Sequence, residues 1–148
     1  MDILIARLMY PNDVTKKIVP HQNYVALVTD EYICLYSISS ILGKELRIED
    51  EMTKDHYEII KASEINENNF LKPSFIDCSK MYRVNIDDTI DLTKLSHRSI
   101  SDTLKERIDN RIYMLKQKGE HTTYVISLSD FKSWNLKAVK EKEVISRE

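Results

Sequence analysis

Glycine and proline are scarce in this sequence, at two and three residues in 148. Long flexible linkers, which draw on glycine and proline, are therefore not expected. Cysteine is scarce too: Cys34 and Cys78 lie far apart and belong to no CxxC pair. Neither a disulfide scaffold nor a four-ligand zinc site is expected. No stretch approaches about 20 uninterrupted apolar residues, so no membrane span or membrane partner is expected. The start, Met1-Asp2-Ile3-Leu4-Ile5-Ala6-Arg7, lacks the basic and apolar regions of a signal peptide. A cytoplasmic location is the expectation. Glycine-rich nucleotide loops, HExxH, GxSxG and EF-hand patterns are all missing. The carboxylates are dispersed, and those of Asp87-Asp88-Thr89-Ile90-Asp91 are expected to bound a turn. No metal and no cofactor is expected.

An excess of one charge sign is also missing. The net charge of −2 gives no overall sign of nucleic-acid binding. The halves differ, however. Residues 1–74 hold 8 basic and 12 acidic side chains, and residues 75–148 hold 14 and 12. Much of the basic charge falls between Lys94 and Lys118 and again after Lys132. A basic strip can contact phosphates, and a mixed solvated helix face is the plainer explanation.

What is present fits a packed domain. Hydrophobic residues make up 42 % and charged residues 31 %, and a chain of this size buries about 70 % of its unfolded surface. One domain spanning 1–148 is expected. Its first part reads as β-structure, with strands over 3–8, 23–29, 32–39 and 56–60. Asp30-Glu31 joins the second and third of these as a hairpin. The stretch 42–53 carries no clear period, and 62–68 is polar enough for one helical turn. Lys72-Pro73 starts an extended segment, because the residue before proline is pushed towards β. Residues 80–85 alternate like a half-buried strand.

The clearest helix follows. Ile100, Leu104, Ile108, Ile112 and Leu115 form one apolar stripe at spacings of four and three. Ser96 or Ser99 is the expected N-cap and Gly119 the residue past the end, giving a helix near 97–118. Residues 122–128 read as a late strand. Ser129-Asp130 reads as the start of a C-terminal helix near 129–145 that carries Phe131 and Trp134. The fold class is therefore α+β: a compact, strongly curved antiparallel sheet, closed like a small SH3-like barrel to protect its edges, with two helices.

Two stretches resemble a known family. One is Lys72-Pro73-Ser74-Phe75-Ile76-Asp77-Cys78-Ser79-Lys80-Met81-Tyr82, followed by Lys94-Leu95-Ser96 and the long helix. The other is Tyr24-Val25-Ala26-Leu27-Val28 followed by Leu35-Tyr36-Ser37-Ile38-Ser39-Ser40. In order and spacing they resemble the MazF/PemK-type ribonuclease toxins of toxin–antitoxin systems and their ToxN/CptN-like relatives, which are inhibited by RNA antitoxins. MazF-type members carry an Arg-Pro pair before the second strand. Here that region reads Lys16-Lys17-Ile18-Val19-Pro20-His21-Gln22-Asn23-Tyr24, without arginine. This departure tilts the resemblance towards the RNA-antitoxin branch, whose members carry a lysine there; His21 stands in that place and Ser39-Ser40 in place of a Thr-Ser pair.

The resemblance implies a MazF-like sheet and a sequence-selective, metal-independent endoribonuclease acting on single-stranded RNA. It also implies an antitoxin partner, with RNA slightly favoured over protein, and a homo-oligomer or toxin–antitoxin assembly. Attack by the 2′-hydroxyl on the adjacent phosphorus would leave a 2′,3′-cyclic phosphate. Such cleavage needs an acid or base near neutrality, as histidine supplies, and donors for the charge that builds on phosphorus. The expected catalytic residues are His21, Ser39, Ser40 and Lys17, and the expected RNA contacts are Tyr10, Lys16, Asn23 and Tyr24. Simpler readings stand beside these: His21 as a loop residue, Lys16 and Lys17 as exposed lysines, Ser39 and Ser40 as turn residues, Tyr10 as core. The alternative function is a non-catalytic RNA- or protein-binding module on the same fold.

Overall fold

The computed structural model describes residues 1–10 and 17–141. Among these, eight strands and three helices form an α+β structure. The strands are β1 (Ile3–Arg7), β2 (Pro20–Val28), β3 (Tyr32–Ser40), β4 (Tyr57–Ile60), β5 (Ser74–Asp77), β6 (Lys80–Asn85), β7 (His97–Arg98) and β8 (Thr122–Ile126). The helices are α1 (Glu45–Glu49), α2 (Asp102–Gln117) and α3 (Leu128–Trp134). Among the described residues no helix is long and apolar enough to cross a membrane.

The β2–β3 hairpin forms as expected, although Asp30-Glu31 is a poor turn pair. Thr29 supplies the missing turn chemistry: its Oγ1 accepts from the amides of Glu31 and Tyr32. The register slips by one residue at Ala26, a bulge that twists the hairpin.

β3 is the spine of the sheet. On one side it pairs with β2, which leads to β1 and β7; on the other its first half pairs with β6 and its second half with β5. Residues 74–85 thus act as one long antiparallel partner of β3, interrupted by a three-residue shift between Ile38↔Ile76 and Leu35↔Tyr82. Asp77 holds that kink, its Oδ1 accepting from the Ser79 amide (3.0 Å) and hydroxyl (2.6 Å). The two halves then diverge: β4 pairs with β5, and β8 with β6. Every pair is antiparallel except β6–β8, which is parallel, a departure from the all-antiparallel expectation. The pairing path is open, ending on β4, β7 and β8. Strand pairing among the described residues does not make the closure expected of a small barrel.

Strand alternation gives the sheet two different faces. Tyr24, Tyr36, Ile38 and Ile76 turn to one side, where the stripe Leu104, Ile108, Ile112 and Leu115 of α2 covers them. The stripe is as expected, but the cap is Ser101, whose hydroxyl accepts from the Leu104 amide, not Ser96 or Ser99. Ser96 and Ser99 precede the helix because residues 97–98 are taken up as β7, paired with β1. Gly119 at φ +70° follows the helix, a conformation that glycine adopts without strain.

The other face carries Leu4, Ala6, Leu8, Val25, Leu35 and Tyr82, partly covered by Phe131 of α3 and by Ala138. α3 is capped by Ser127 and ends at Trp134, so the helix expected to run to 145 stops early. The reason is Asn135. Its side chain accepts from the Arg7 amide (2.7 Å) and donates to the Arg7 carbonyl (2.8 Å), pairing with the end of β1 as a neighbouring strand would. A 3₁₀ turn, Leu136–Ala138, follows, and Val139 bridges to Ile90.

Candidate functional site

The part of the second face that α3 leaves uncovered forms a cleft of about 330 Å³. Its floor is built by register. Asn23 lies opposite Ser37, Ser39 opposite Phe75, Phe75 opposite Ile59, and Asp77 opposite Tyr57. Paired residues share a face, so His21, Ser37, Ser39, Phe75 and Asp77 project together. Tyr10 and Leu8 from the chain after β1, and Lys44 and Arg47 from around α1, supply the walls with Lys17, Val19, Lys80 and Tyr82.

His21 is fixed from two sides. Its Nε2 lies 3.0 Å from the Ser37 hydroxyl, and its ring meets the Tyr10 ring edge-on at 5.4 Å. Tyr10 in turn packs edge-on against Tyr82 at 4.8 Å and donates its hydroxyl to Asn23 Oδ1 at 2.6 Å. Burial pushes the Tyr10 phenol well above its ordinary value, so it stays neutral and serves as a donor. Asn23 is fully buried and spends its amide on the carbonyls of His21 and Leu4.

The opposite wall is cationic. Arg47 donates from Nε to the Tyr57 hydroxyl (3.1 Å) and lies over the rings of Tyr57 and Phe75. Burial opposes its charge, but the Tyr57 hydroxyl and Asp77 outweigh that and hold its pKa above the ordinary value. The Oδ2 of Asp77 faces both Arg47 (3.4 Å) and Lys80 (3.8 Å). Among the described residues the lining carries, with Lys17 and Lys44, four cationic side chains besides His21 and the one carboxylate of Asp77. The hydroxyls of Tyr10, Ser37, Ser39 and Tyr82 complete a lining suited to an oxyanion: donors are at hand and, among the described residues, positive charge exceeds negative.

His21, Ser39, Lys17 and Tyr10 of the sequence-derived set therefore share the cleft. Ser40 does not line it. Alternation turns Ser40 away, and its hydroxyl accepts from the Leu42 amide (3.3 Å), the turn role. Lys16 lies outside the described residues. Asn23 supports Tyr10 and His21 from beneath and, being buried, offers RNA no surface. Tyr24 is on the wrong face: β-alternation buries it under α2, where its hydroxyl donates to Asp109 (2.5 Å) and accepts from Lys105 (3.1 Å). Asn23 and Tyr24 are thus corrected from RNA contacts to structural residues.

Sequence reasoning missed Ser37, Lys44, Arg47, Asp77, Lys80 and Tyr82. A signal existed for four of these. Asp77, Lys80 and Tyr82, with Phe75, belong to the segment 72–82 that carries the family resemblance, and Asp77-Cys78-Ser79 is an Asx-turn pattern. Ser37 shares the parity of Ser39 on β3. No local signal marks Arg47. Among the described residues no three His, Cys, Asp or Glu side chains gather as a metal site. The Asp87 and Asp91 carboxylates instead accept from Thr89 and Thr93 in tight turns, as expected.

Comparison of the chain with models of known protein families and with curated proteins found no match.

Proposed function

We propose that this protein is a sequence-selective, metal-independent endoribonuclease toxin with a partly open, MazF-like sheet, similar in kind to the ToxN/CptN-like branch and neutralised by an RNA or protein antitoxin, RNA being slightly favoured. The observation that carries the reading is the cleft in which His21, held by Ser37 and Tyr10, faces an anion-friendly wall of Arg47, Lys80, Lys17 and Lys44. A phosphodiester meets there both an acid–base group and charge compensation, the two needs of cleavage by a neighbouring hydroxyl.

In this mechanism the 2′-oxygen attacks phosphorus and the bond from phosphorus to the 5′-oxygen breaks. The 2′-hydroxyl proton leaves to a base, and a proton reaches the departing 5′-oxygen. His21 performs one of these transfers. Ser39 hydrogen-bonds a non-bridging oxygen, and Arg47 with Lys17 or Lys80 offsets the extra charge on phosphorus. Arg47 supplies, from α1, a guanidinium that residues 16–24 lack. Its fork presents several donors in a fixed plane, which suits a phosphate.

Incubating the purified protein with mixed-sequence single-stranded RNA in EDTA, and mapping the ends, tests the reading. Discrete cuts with cyclic-phosphate ends, lost in His21→Ala, are expected. Intact RNA from folded, antitoxin-free protein would overturn it; if that protein still binds RNA, the binding-module alternative takes its place.

A further inference from the structure

A second cleft, of about 490 Å³, opens on the far side of the same backbone. Val19 and His21 line the first cleft, and Pro20 between them lines the second; Leu8 lines the first and its neighbour Arg7 the second. The antiparallel pair Arg7↔Pro20 at the end of the β1–β2 ladder is therefore the rim between them. The far wall is Lys94-Leu95-Ser96 together with residues 133–137, which Asn135 pins to the Arg7 backbone.

The chemistry of this groove is one-sided. Arg7, Lys94 and Lys137 line it and, among the described residues, no Asp or Glu does. Among the described residues none of these three cations belongs to an ion pair. All three are exposed, and the half-buried indole of Trp134 lies among them. Unpaired cations beside an aromatic ring are the combination that holds single-stranded nucleic acid: phosphates against charge and a base against the ring. Two of the cations, Lys94 and Lys137, come from the basic second half of the chain.

We infer that this groove is a second RNA subsite, which receives the nucleotides flanking those in the His21 cleft. Backbone phosphates lie against Arg7, Lys94 and Lys137, and one base stacks on Trp134. An acidic peptide would satisfy the cations too. A shared rim one residue wide, with anion-binding character on both sides, instead favours one continuous polyanion occupying both clefts. The inference rests on the proposed function for its ligand class, and on the groove's own residues for its place.

Trp134 is the only tryptophan in the chain, so its emission, excited at the red edge where the tyrosines do not absorb, reports on this groove. The probe is a mixed-sequence 2′-O-methyl oligonucleotide of about 12 nucleotides, within the span of known single-strand sites and without the hydroxyl needed for cleavage. Binding is followed in parallel by polarisation of an end-labelled copy. Saturable quenching of Trp134, in step with binding, is expected. A variant combining Arg7→Gln, Lys94→Gln and Lys137→Gln should keep the wild-type circular dichroism spectrum. It should lower the steepness of log affinity against log salt by about 2, from roughly 0.7 per phosphate contact. No binding, binding without a fluorescence change, an unaltered salt slope, or quenching by an acidic peptide where the oligonucleotide gives none would each overturn the inference. Unmodified RNA separates the two proposals: cutting with a silent Trp134 overturns the groove alone, and quenching without cutting overturns the nuclease alone.

Discussion

Asp77 illustrates how one side chain serves both shape and charge. One oxygen holds the kink between β5 and β6, and the other gathers Arg47 and Lys80 at the cleft. The partner that the proposed cleavage draws on is Arg47, whose Nε binds Tyr57 while its plane lies over two rings. Lysine has neither the fork nor the plane. Arg47→Lys should therefore lower kcat/KM for RNA cleavage about tenfold, equivalent to about 1.4 kcal/mol of transition-state stabilisation. A variant that cleaves like the wild type would remove Arg47 from the mechanism. A second residue-scale expectation concerns His121, whose Nε2 lies 2.8 Å from the Tyr36 hydroxyl. Burial, helped by Lys116, lowers the His121 pKa in the folded state, while burial raises that of Tyr36, which stays neutral and donates. The unfolded chain, with an imidazole near the ordinary value of about 6.5, binds more protons in the window below that value. The contribution of His121 is complete above the unfolded pKa and is lost as pH falls from there through the folded pKa. Urea denaturation at several pH values should show this decline, and His121→Gln should flatten it. Equal slopes in the two proteins would show that His121 is not its source.

At the scale of elements, α2 is tied to the sheet by a charge clamp as well as by its apolar stripe. Glu58 on β4 is buried and accepts from Arg107 (2.9 Å) and Arg111 (2.5 Å), while Arg107 also reaches Glu64 and the Ile59 carbonyl. Removing the shared carboxylate leaves two guanidinium groups without their buried partner. Glu58→Ala should cost about 3 kcal/mol in chemical denaturation, and a loss under about 1 kcal/mol would show that solvent replaces the carboxylate. The stripe of α2 was readable because a 3.6-residue period repeats across five positions and needs no knowledge of distant partners. Its start was misread because several serines precede it, and the pairing of β7 with β1, a long-range event, decides which of them caps. The hairpin was equally local. The parallel β6–β8 pairing and the three-residue shift opposite β3 were not readable, since both depend on where remote strands meet. For the site, the alternation of β2 already separated His21 and Asn23 from Tyr24. Applied strictly, that rule sends Tyr24 to the other face. Arg47 was beyond reach, because a short helix without a buried residue leaves no periodic trace of the cleft that it faces.

For the molecule as a whole, the proposed function divides the work between the two faces of one sheet. One face is sealed by α2 and carries the tyrosine pair Tyr24 and Tyr36 in its core. The other is covered by α3 only in part, and its uncovered remainder is the His21 cleft, with the basic groove across the β1–β2 rim. Polar residues on the first face should therefore affect stability without affecting chemistry. Tyr24→Phe is the sharpest test, because Tyr24 lies next in sequence to the cleft-supporting Asn23 yet points away from it. Its hydroxyl joins Asp109 to Lys105, and losing it should cost about 1–2 kcal/mol, as for hydrogen bonds to charged partners. RNA cleavage by the folded fraction should stay within about twofold of wild type, less than the 1.4 kcal/mol that marks a tenfold effect. Both quantities come from one preparation, by urea denaturation and by initial cleavage rate well below the denaturation midpoint. A tenfold loss of cleavage at unchanged stability would mean that RNA reaches the α2 side and that the division of faces is wrong. Lost stability with intact cleavage would mean that adjacent residues of one strand serve the core and the reaction separately.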